Sequence, residues 1–400
     1  MSKYNFDQYI SRKGTDCIKF DWAKEYGYRE DIMSLWVADM DFETVPEVSK
    51  AIAERTKHGI YGYTLPKESY WDTVIDWFSR HHQFVAKREW GFFTPGIVFA
   101  ISSAVKAFTK QGEAVIIQRP VYHPFWSMIE KNGRKVVNSP LKLVQVNGDL
   151  RYEMDFDDFE KKIIENNVKL YLLCNPHNPG GRVWSKEELE QIGDICLRHN
   201  VIVVSDEIHA DFCFYHTKHT VFASIKEEFM NSTITCTSPT KTFNLAGLQI
   251  SNIFCANEQL RNKMIQEITS TGYDEPNLFG MIACQAAYQY GYEWLTEVKE
   301  YIEANMNYVH AFLQEKLPKV RMMKPEGTYL IWLDFSDYKL TEQELEDYIV
   351  QKANLWLDPG TMFGVEGKNF QRINVATTRS YLEKAMNSLY DALLPLSSTK

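Results

Sequence analysis

The chain has 400 residues, of which 44% are hydrophobic and 24% charged, so it is long enough for one large globular domain or two. Its formal net charge of -9 argues against nucleic acid as the main partner, because binding to phosphates requires a basic face. The first residues lack an apolar signal sequence, and no apolar stretch reaches membrane-spanning length. Seven scattered cysteines favour reduced thiols over disulfides or a metal site. We therefore expect a cytoplasmic protein without a membrane partner.

Short apolar runs alternate with helical patterns through the middle of the chain. Four runs lack the polar alternation of a half-exposed strand and predict strands buried on both faces. A capping box of Ser185 and Glu188 predicts a helix between the second and third runs, ending near 198–200. A strand, a helix and a strand in this order form a βαβ unit, so the sheet is predicted to be mostly parallel. The four runs are Ala114–Ile117, Leu170–Cys174, Val201–Ser205 and Ser232–Cys236.

The C-terminal part of the chain has a different pattern. A strand is predicted over Thr328–Leu333, and a second capping box, formed by Thr341 and Glu344, predicts a helix after it. Longer helical patterns predict a connecting helix over Tyr288–Phe312 and a final helix over about 380–393. These elements are typical of a smaller α+β lobe that follows a large α/β domain.

We therefore expect an α/β protein with two domains. The large domain comprises residues 46–287 and contains a mostly parallel sheet wrapped by helices. The small α+β domain is discontinuous and combines residues 1–45 with 288–400.

Three polar residues follow the predicted strands closely: Asn178, Asp206 and Lys241. In open α/β sheets, ligands bind beyond the carboxyl ends of the strands, so one ligand could contact all three side chains. An ammonium among apolar neighbours has a lowered pKa, which favours imine formation. The three side chains thus offer a Schiff-base amine, a carboxylate for a pyridinium nitrogen and an amide for a phenolate-like oxygen. These are the partners that a pyridoxal 5'-phosphate (PLP) ring requires.

The motifs around these residues resemble those of the fold-type I PLP enzymes, which share an aspartate-aminotransferase-like fold. Within the class I/II aminotransferase family, the chain is most similar to the cystathionine β-lyase-like C–S lyases. The resemblance covers nearly the whole chain. The segments that carry it are 35–42 (LWVADMDF), 61–63, 120–125, 175–181 (NPHNPGG), 205–209 (SDEIH), 238–247 (SPTKTFNLAG), 358–364 and 372–376.

The resemblance implies a role for each residue around the cofactor ring. Lys241 forms the Schiff base and moves protons at the substrate α- and β-carbons. Asp206 pairs with the ring nitrogen, and Asn178 donates towards the ring oxygen. His209 lies where many aminotransferases have a tyrosine near that oxygen, and Tyr122 is expected to stack on the pyridine face.

The cofactor phosphate requires a separate set of donors. The helix N-terminal amides of Ile97 and Val98 suit an anion, and Ser238 adds a hydroxyl. Many relatives carry an arginine eight residues after the lysine, whereas this chain has Gln249. The resemblance implies that Tyr63 is supplied by the partner subunit of a homodimer, so that the active site lies at the subunit interface.

Two arginines near the C-terminus are candidates for binding a substrate carboxylate. Arg372 is the better candidate, because a guanidinium fork matches a carboxylate bidentately, and Arg379 is the lesser one. In the family, the backbone that corresponds to Ala38 also contacts the carboxylate.

The expected reaction is β-elimination from a sulfur amino acid such as L-cystathionine, yielding a thiol, pyruvate and ammonia. In this reaction Lys241 removes the α-proton, and Lys241 or Tyr63 protonates the departing thiolate. The first alternative is an aminotransferase, since fold and cofactor do not fix the reaction type. The second alternative is a regulatory protein that retains the lyase fold.

Overall fold

The computed structural model describes residues 3–397, so the outermost parts of the predicted small domain, residues 1, 2 and 398–400, lie outside the described residues. The strands, numbered in chain order, are β1 Met33–Ser34, β2 Gly91–Thr94, β3 Ala114–Ile117, β4 Lys135–Asn138, β5 Lys142–Val146, β6 Asp149–Glu153, β7 Leu170–Cys174, β8 Ile202–Asp206, β9 Thr233–Thr237, β10 Ser251–Phe254, β11 Arg321–Met323, β12 Leu330–Asp334, β13 Leu355–Trp356, β14 Asp358–Pro359 and β15 Phe370–Asn374.

Helices occur between and after these strands. The α-helices are α1 Pro46–Lys57, α2 Glu68–His82, α3 Ile97–Phe108, α4 Pro124–Lys131, α5 Phe156–Asn166, α6 Lys186–Arg198, α7 Glu227–Met230, α8 Pro239–Thr242, α9 Glu258–Thr269, α10 Leu278–Tyr290, α11 Tyr292–Lys316, α12 Glu342–Glu346 and α13 Arg379–Ser397.

A seven-stranded sheet in the order β2-β10-β9-β8-β7-β3-β4 forms the centre of the molecule. Its five strands from β9 to β4 run parallel to one another, and β10 runs antiparallel to both of its neighbours. The predicted α/β class and the mostly parallel sheet are therefore confirmed. The four predicted strands correspond to β3, β7, β8 and β9, each within one residue of its predicted bounds.

Alternate residues of β7 show how helices cover both faces of this sheet. Tyr171 and Leu173 pack in one apolar cluster, which also contains residues of α5 and α6. Leu170 and Leu172 pack in the cluster on the opposite face, with residues of α3, α4 and α9. Burial on both faces explains the continuous apolar sequence of the strand. The capping box that begins α6 is present, with the Glu188 amide donating to Ser185 Oγ.

A four-stranded antiparallel sheet in the order β11-β12-β15-β14 lies in the C-terminal part of the chain. The second predicted capping box is also present, with Thr341 as the N-cap of α12. The strand predicted over Thr328–Leu333 begins two residues later, at Leu330. Thr328 has a φ of 65°, and this left-handed conformation is incompatible with an extended strand.

The helix predicted over Tyr288–Phe312 is not continuous. Helix α10 ends at Tyr290, and α11 begins at Tyr292. A Cβ atom on the intervening Gly291 would lie 2.4 Å from both the Ala287 carbonyl oxygen and the Phe243 ring, so only glycine fits where the two helices meet. The periodic pattern continues across this residue, which is why the sequence predicts one helix.

The seven-stranded sheet lies entirely within residues 91–254, and the four-stranded sheet lies within 321–374. The division into domains at residues 46 and 287 stays a prediction. Over residues 3–397, no helix is both long enough and apolar enough to cross a membrane.

Candidate active site

The carboxyl ends of three neighbouring strands carry the predicted cofactor residues. Strands β7, β8 and β9 are adjacent and parallel, with Asp206 opposite both Cys174 and Cys236. Asn178 follows β7, Asp206 ends β8, and Lys241 lies on the short helix α8 after β9. The sheet therefore brings the three residues to one edge, as the spacing of the motifs predicts.

Lys241 lies in an environment that favours its neutral amine. Its Nζ donates to the Ala38 carbonyl oxygen at 2.5 Å. Burial lowers the pKa of Lys241 to about 8, with the Arg372 charge acting in the same direction and Asp39 and Asp206 opposing it. A neutral amine is the nucleophilic form of lysine, so the lowered pKa increases the fraction of this side chain that is reactive near neutral pH.

Asp206 is a buried carboxyl with few hydrogen-bond donors. Its Oδ1 accepts from the Ile208 amide at 3.1 Å, and its Oδ2 accepts from no group in the described part of the chain. Burial raises the pKa of Asp206 to about 7, because a charge in an apolar environment is poorly solvated. A protonated ring nitrogen placed here would supply the missing donor and stabilise the carboxylate.

Arg372 connects the end of β7 to the C-terminal sheet. Its Nη1 donates to Asn178 Oδ1 at 3.0 Å, and its Nη2 donates to the Trp36 carbonyl oxygen at 2.9 Å. Nη2 also pairs with Asp358, which lies opposite it on β14. The Nε has no partner among the described residues. Because the guanidinium is buried and held by three residues, its orientation is fixed before a substrate binds.

His209 and Tyr122 lie beside this group. His209 is buried, its ring centre is 5.9 Å from that of Tyr329, and its Nδ1 has no hydrogen-bond partner among residues 3–397. Burial moves the pKa of His209 well below its ordinary value, so the imidazole is neutral. The Tyr122 amide donates to the Asn178 carbonyl oxygen at 3.0 Å. The half-buried ring of Tyr122 interacts electrostatically with Arg372 and Asp206, which places it at the same site.

The predicted phosphate-binding residues lie at the same edge of the sheet. Strand β2 runs parallel to β9 because both are antiparallel to β10, so the end of β2 and the start of α3 are near the end of β9. Helix α3 begins at Ile97, and the amides of Ile97 and Val98 therefore have no acceptor within the helix. A Cβ on the preceding Gly96 would meet no atom within 4 Å, which indicates open space there.

The Ser238 hydroxyl already has hydrogen-bond partners within the chain, and its contact with a phosphate stays a prediction. Its Oγ donates to the Ile250 carbonyl oxygen at 2.7 Å and accepts from the Thr240 amide at 3.2 Å, so a phosphate must compete with these partners. Gln249, at the position where many relatives have arginine, is exposed.

Tyr63 is not brought to the site by its own chain. Its side chain is 96% exposed and therefore contacts almost nothing. It lies in an irregular segment between α1 and α2, where Ile60, Tyr61 and Leu65 are also more than half exposed. The position of Tyr63 in an active site stays a prediction.

A buried ionic cluster next to Lys241 was missed from the sequence. Lys19 is completely buried and its Nζ is 2.9 Å from Asp41 Oδ1 and 3.5 Å from Asp39 Oδ1. Arg12 donates to both carboxylates, with an Nη1–Asp41 Oδ1 distance of 3.0 Å. The only available signal was the Asp-x-Asp pair in the LWVADMDF motif, because the two basic residues are distant from it in sequence.

Three polar residues hold the backbone of this motif against Lys241. Tyr329 donates its hydroxyl to the Ala38 carbonyl oxygen at 2.9 Å. Asn374 donates to the Val37 carbonyl oxygen at 2.6 Å, and Asn244 accepts from the Met40 amide at 3.0 Å. The Ala38 carbonyl oxygen thus accepts from two side chains. A substrate carboxylate is itself an acceptor, so it could bind this backbone only through an amide N–H.

Comparison with known proteins places these features in a family. The model for aminotransferase class I and II matches residues 30–389. Cystathionine beta-lyase PatB of Bacillus subtilis is 44% identical, over 97% of this chain and 100% of its own length. The PLP-bound structure of a putative aminotransferase from Clostridium difficile superposes with a TM-score of 0.94 at 42% identity, over 98% of this chain and 100% of that one. Cystalysin of Treponema denticola, solved with PLP, superposes with a TM-score of 0.94 at 36% identity, over 98% and 99%.

Proposed function

We propose that this chain, which belongs to the aminotransferase class I and II family, is a PLP-dependent carbon–sulfur β-lyase that cleaves L-cystathionine or related S-substituted L-cysteines. The family and fold predicted from the sequence are confirmed by the match to residues 30–389 and by the similar structures. The observation that carries the proposal is the arrangement of Lys241, Asp206 and Arg372 in a chain that is 44% identical to a cystathionine beta-lyase.

The described residues fit PLP. Lys241 offers an amine with a lowered pKa, and Asp206 offers a buried carboxyl group that accepts from the Ile208 amide. Asn178 and His209 adjoin them, with the unpartnered Nδ1 of His209 available to a further polar group. The amides at the start of α3 suit the phosphate. When bound, PLP withdraws electrons from the α-carbon of an amino acid attached to it.

The protein contributes binding, orientation and proton transfer. Arg372, held by Asn178 and Asp358, presents the guanidinium edge expected to bind the substrate carboxylate and thereby fixes the direction of the α-hydrogen. The Lys241 amine then takes the proton from the α-carbon and returns a proton to the departing thiolate sulfur. The remaining three-carbon product hydrolyses to pyruvate and ammonia.

A homodimer would complete the site with Tyr63 from the partner subunit. This part of the proposal is supported by the exposed apolar side chains of the segment between α1 and α2, since large exposed aliphatic and aromatic groups are typical of an interface. Gel filtration with light scattering tests it, because a fully active monomer would overturn it. We also infer a cytoplasmic location, which is supported by seven free cysteines.

Incubation of the purified protein with L-cystathionine tests the activity. The proposal predicts stoichiometric pyruvate, ammonia and thiol when no 2-oxo acid acceptor is added. Turnover that requires a 2-oxo acid acceptor would instead establish an aminotransferase, the activity in the names of more distant relatives such as the aspartate aminotransferase of Pyrococcus abyssi, 26% identical. A colourless protein that binds no added PLP would contradict both activities and favour a regulatory protein.

A further inference from the structure

A cavity of about 710 Å³ is lined by none of the residues assigned to the cofactor. It is formed by the end of α2, the start of α6, the segments 210–220 and 224–225 and the beginning of α11. Its size is within the range of small-molecule sites, roughly 300–1,000 Å³. The basic groups that line it are Arg80, His81, His82, Lys186, Lys218, His219 and Lys299.

Basic side chains outnumber acidic ones on the lining of this cavity, although Arg80 is already paired with Asp76. Lys186, Lys218 and Lys299 have no carboxylate within 4.0 Å in the described part of the chain. Among the described lining residues, the single acidic one is Asp211, and its carboxylate already accepts from three side chains. Three lysines that face one cavity without counter-charges repel one another, so an anionic ligand would relieve that repulsion.

The floor of the cavity contains two carboxylate-bound imidazoles. His82 Nε2 is 2.8 Å from Asp211 Oδ1, and His219 Nε2 is 2.8 Å from Glu207 Oε2. Their ring centres are 5.6 Å apart. His219 is 8% exposed, and its Nδ1 has no hydrogen-bond partner over residues 3–397. A buried polar nitrogen without a partner is costly unless a ligand or water satisfies it.

One wall of the cavity is aromatic. The rings of His81 and Tyr292 are stacked, with centres 4.7 Å apart and an interplanar angle of 16°. Tyr292 is 58% exposed, so part of its ring is free to contact a ligand. The cavity thus combines a basic rim, imidazole nitrogens on the floor and a flat aromatic side.

We propose that this cavity binds a small phosphorylated metabolite, a ligand that the lyase activity itself does not require. Phosphate is favoured because lysine ammonium groups bind it as point charges from several directions, and because a multiply charged anion matches several unpaired cations. The volume accommodates a phosphate with an attached organic group, which could pack against Tyr292.

Titration calorimetry of inorganic pyrophosphate into the PLP-loaded protein tests the proposal, with KCl used to keep the ionic strength constant. The double variant Lys218→Gln/Lys299→Gln removes two cations from the cavity. The control Lys368→Gln/Lys384→Gln removes the same charge from exposed positions elsewhere. We expect a Kd below about 1 mM for the wild type and the control, and binding at least about tenfold weaker for the cavity variant. Absence of binding to the wild type, or equal affinity of the two variants, would overturn the proposal.

Discussion

Two buried carboxylates near the carboxyl end of β8 have opposite environments. Asp206 receives one backbone hydrogen bond, and burial raises its pKa to about 7. Asp211 accepts from Trp77 Nε1 at 3.1 Å, from His82 Nε2 at 2.8 Å and from Thr242 Oγ1 at 2.6 Å. These donors outweigh burial and hold the pKa of Asp211 at about 2.

Because of this difference, we infer that Asp211 stabilises the fold, whereas Asp206 is suited to bind a ligand. A buried charge is tolerated when hydrogen bonds replace the water that it loses. Asp211 has that replacement within the chain, and it connects α2 to the residue after Lys241. Asp206 lacks it, so its burial costs free energy that a bound pyridinium would recover. Substitution at the two positions should therefore affect different properties.

The largest expected effect is on activity when Asp206 is replaced by Asn. The amide preserves the shape but removes the charge that stabilises the protonated ring nitrogen, so we expect kcat to fall by about 10²–10³-fold. Because the cost of burying the charge is removed, the free energy of unfolding of the cofactor-free protein should not fall, as measured by urea denaturation. A loss of stability with unchanged kcat would reverse the assignment of Asp206.

Replacing Asp211 by Ala should have its main effect on stability. It leaves Trp77, His82 and Thr242 without their acceptor, and we expect the cofactor-free protein to lose about 3 kcal/mol. Asp391→Ala, at an exposed position of α13, is the control and should change little. Since the native pKa of Asp211 lies below its ordinary value, the stabilisation is fully present above about pH 4 and is lost as the pH falls through about 2. Equal stability of both variants would contradict this role.

The two candidate carboxylate-binding arginines can be separated by kinetics. Arg372 is buried among Asn178, Asp358 and Trp36, whereas Arg379 donates to Asn305 Oδ1 at 2.8 Å and lies over the Tyr308 ring. Arg372→Lys keeps the charge but loses the two-pronged guanidinium that binds a carboxylate bidentately. The KM for cystathionine should therefore rise about tenfold. Arg379→Lys should leave KM nearly unchanged. If Arg379→Lys raises KM and Arg372→Lys does not, Arg379 is the residue that binds the substrate carboxylate.

The smallest expected effect concerns the pH dependence of the rate at which Lys241 captures PLP. Burial lowers the pKa of Lys241 to about 8 from an ordinary value of 10.5, and only the neutral amine attacks the PLP aldehyde. The rate at which the cofactor-free protein captures PLP should therefore increase from pH 6.5 upward with a midpoint near 8. Stopped-flow absorbance measures it, and a rate that continues to rise in proportion to hydroxide up to pH 10 would indicate an unperturbed lysine.

Sequence reasoning succeeded where one local pattern decides the structure. Continuous apolar runs predicted β3 and β7 at their observed bounds, and the capping boxes at Ser185 and Thr341 predicted the starts of α6 and α12. The order of motifs after parallel strands was sufficient to bring Asn178, Asp206 and Lys241 to one edge, because the sheet geometry is regular.

Sequence patterns did not predict contacts between segments that are distant in the chain. The pairing of Lys19 with Asp41 and of Arg372 with Asp358 depends on tertiary contacts that no sequence spacing indicates. The need for glycine at position 291, between α10 and α11, depends partly on the Phe243 ring, which is far away in sequence. The same applies to the basic cavity, whose lysines come from α6, the segment 210–220 and α11.

Identification of the lysine that holds PLP tests the central claim most directly. The purified protein is incubated with PLP and reduced with borohydride, which makes the cofactor's linkage to a lysine permanent, and the labelled peptide is sequenced by mass spectrometry. The structure predicts one pyridoxyl phosphate group per chain, on Lys241. Label on the neighbouring buried Lys19, or label spread over exposed lysines, would contradict the assignment of this site.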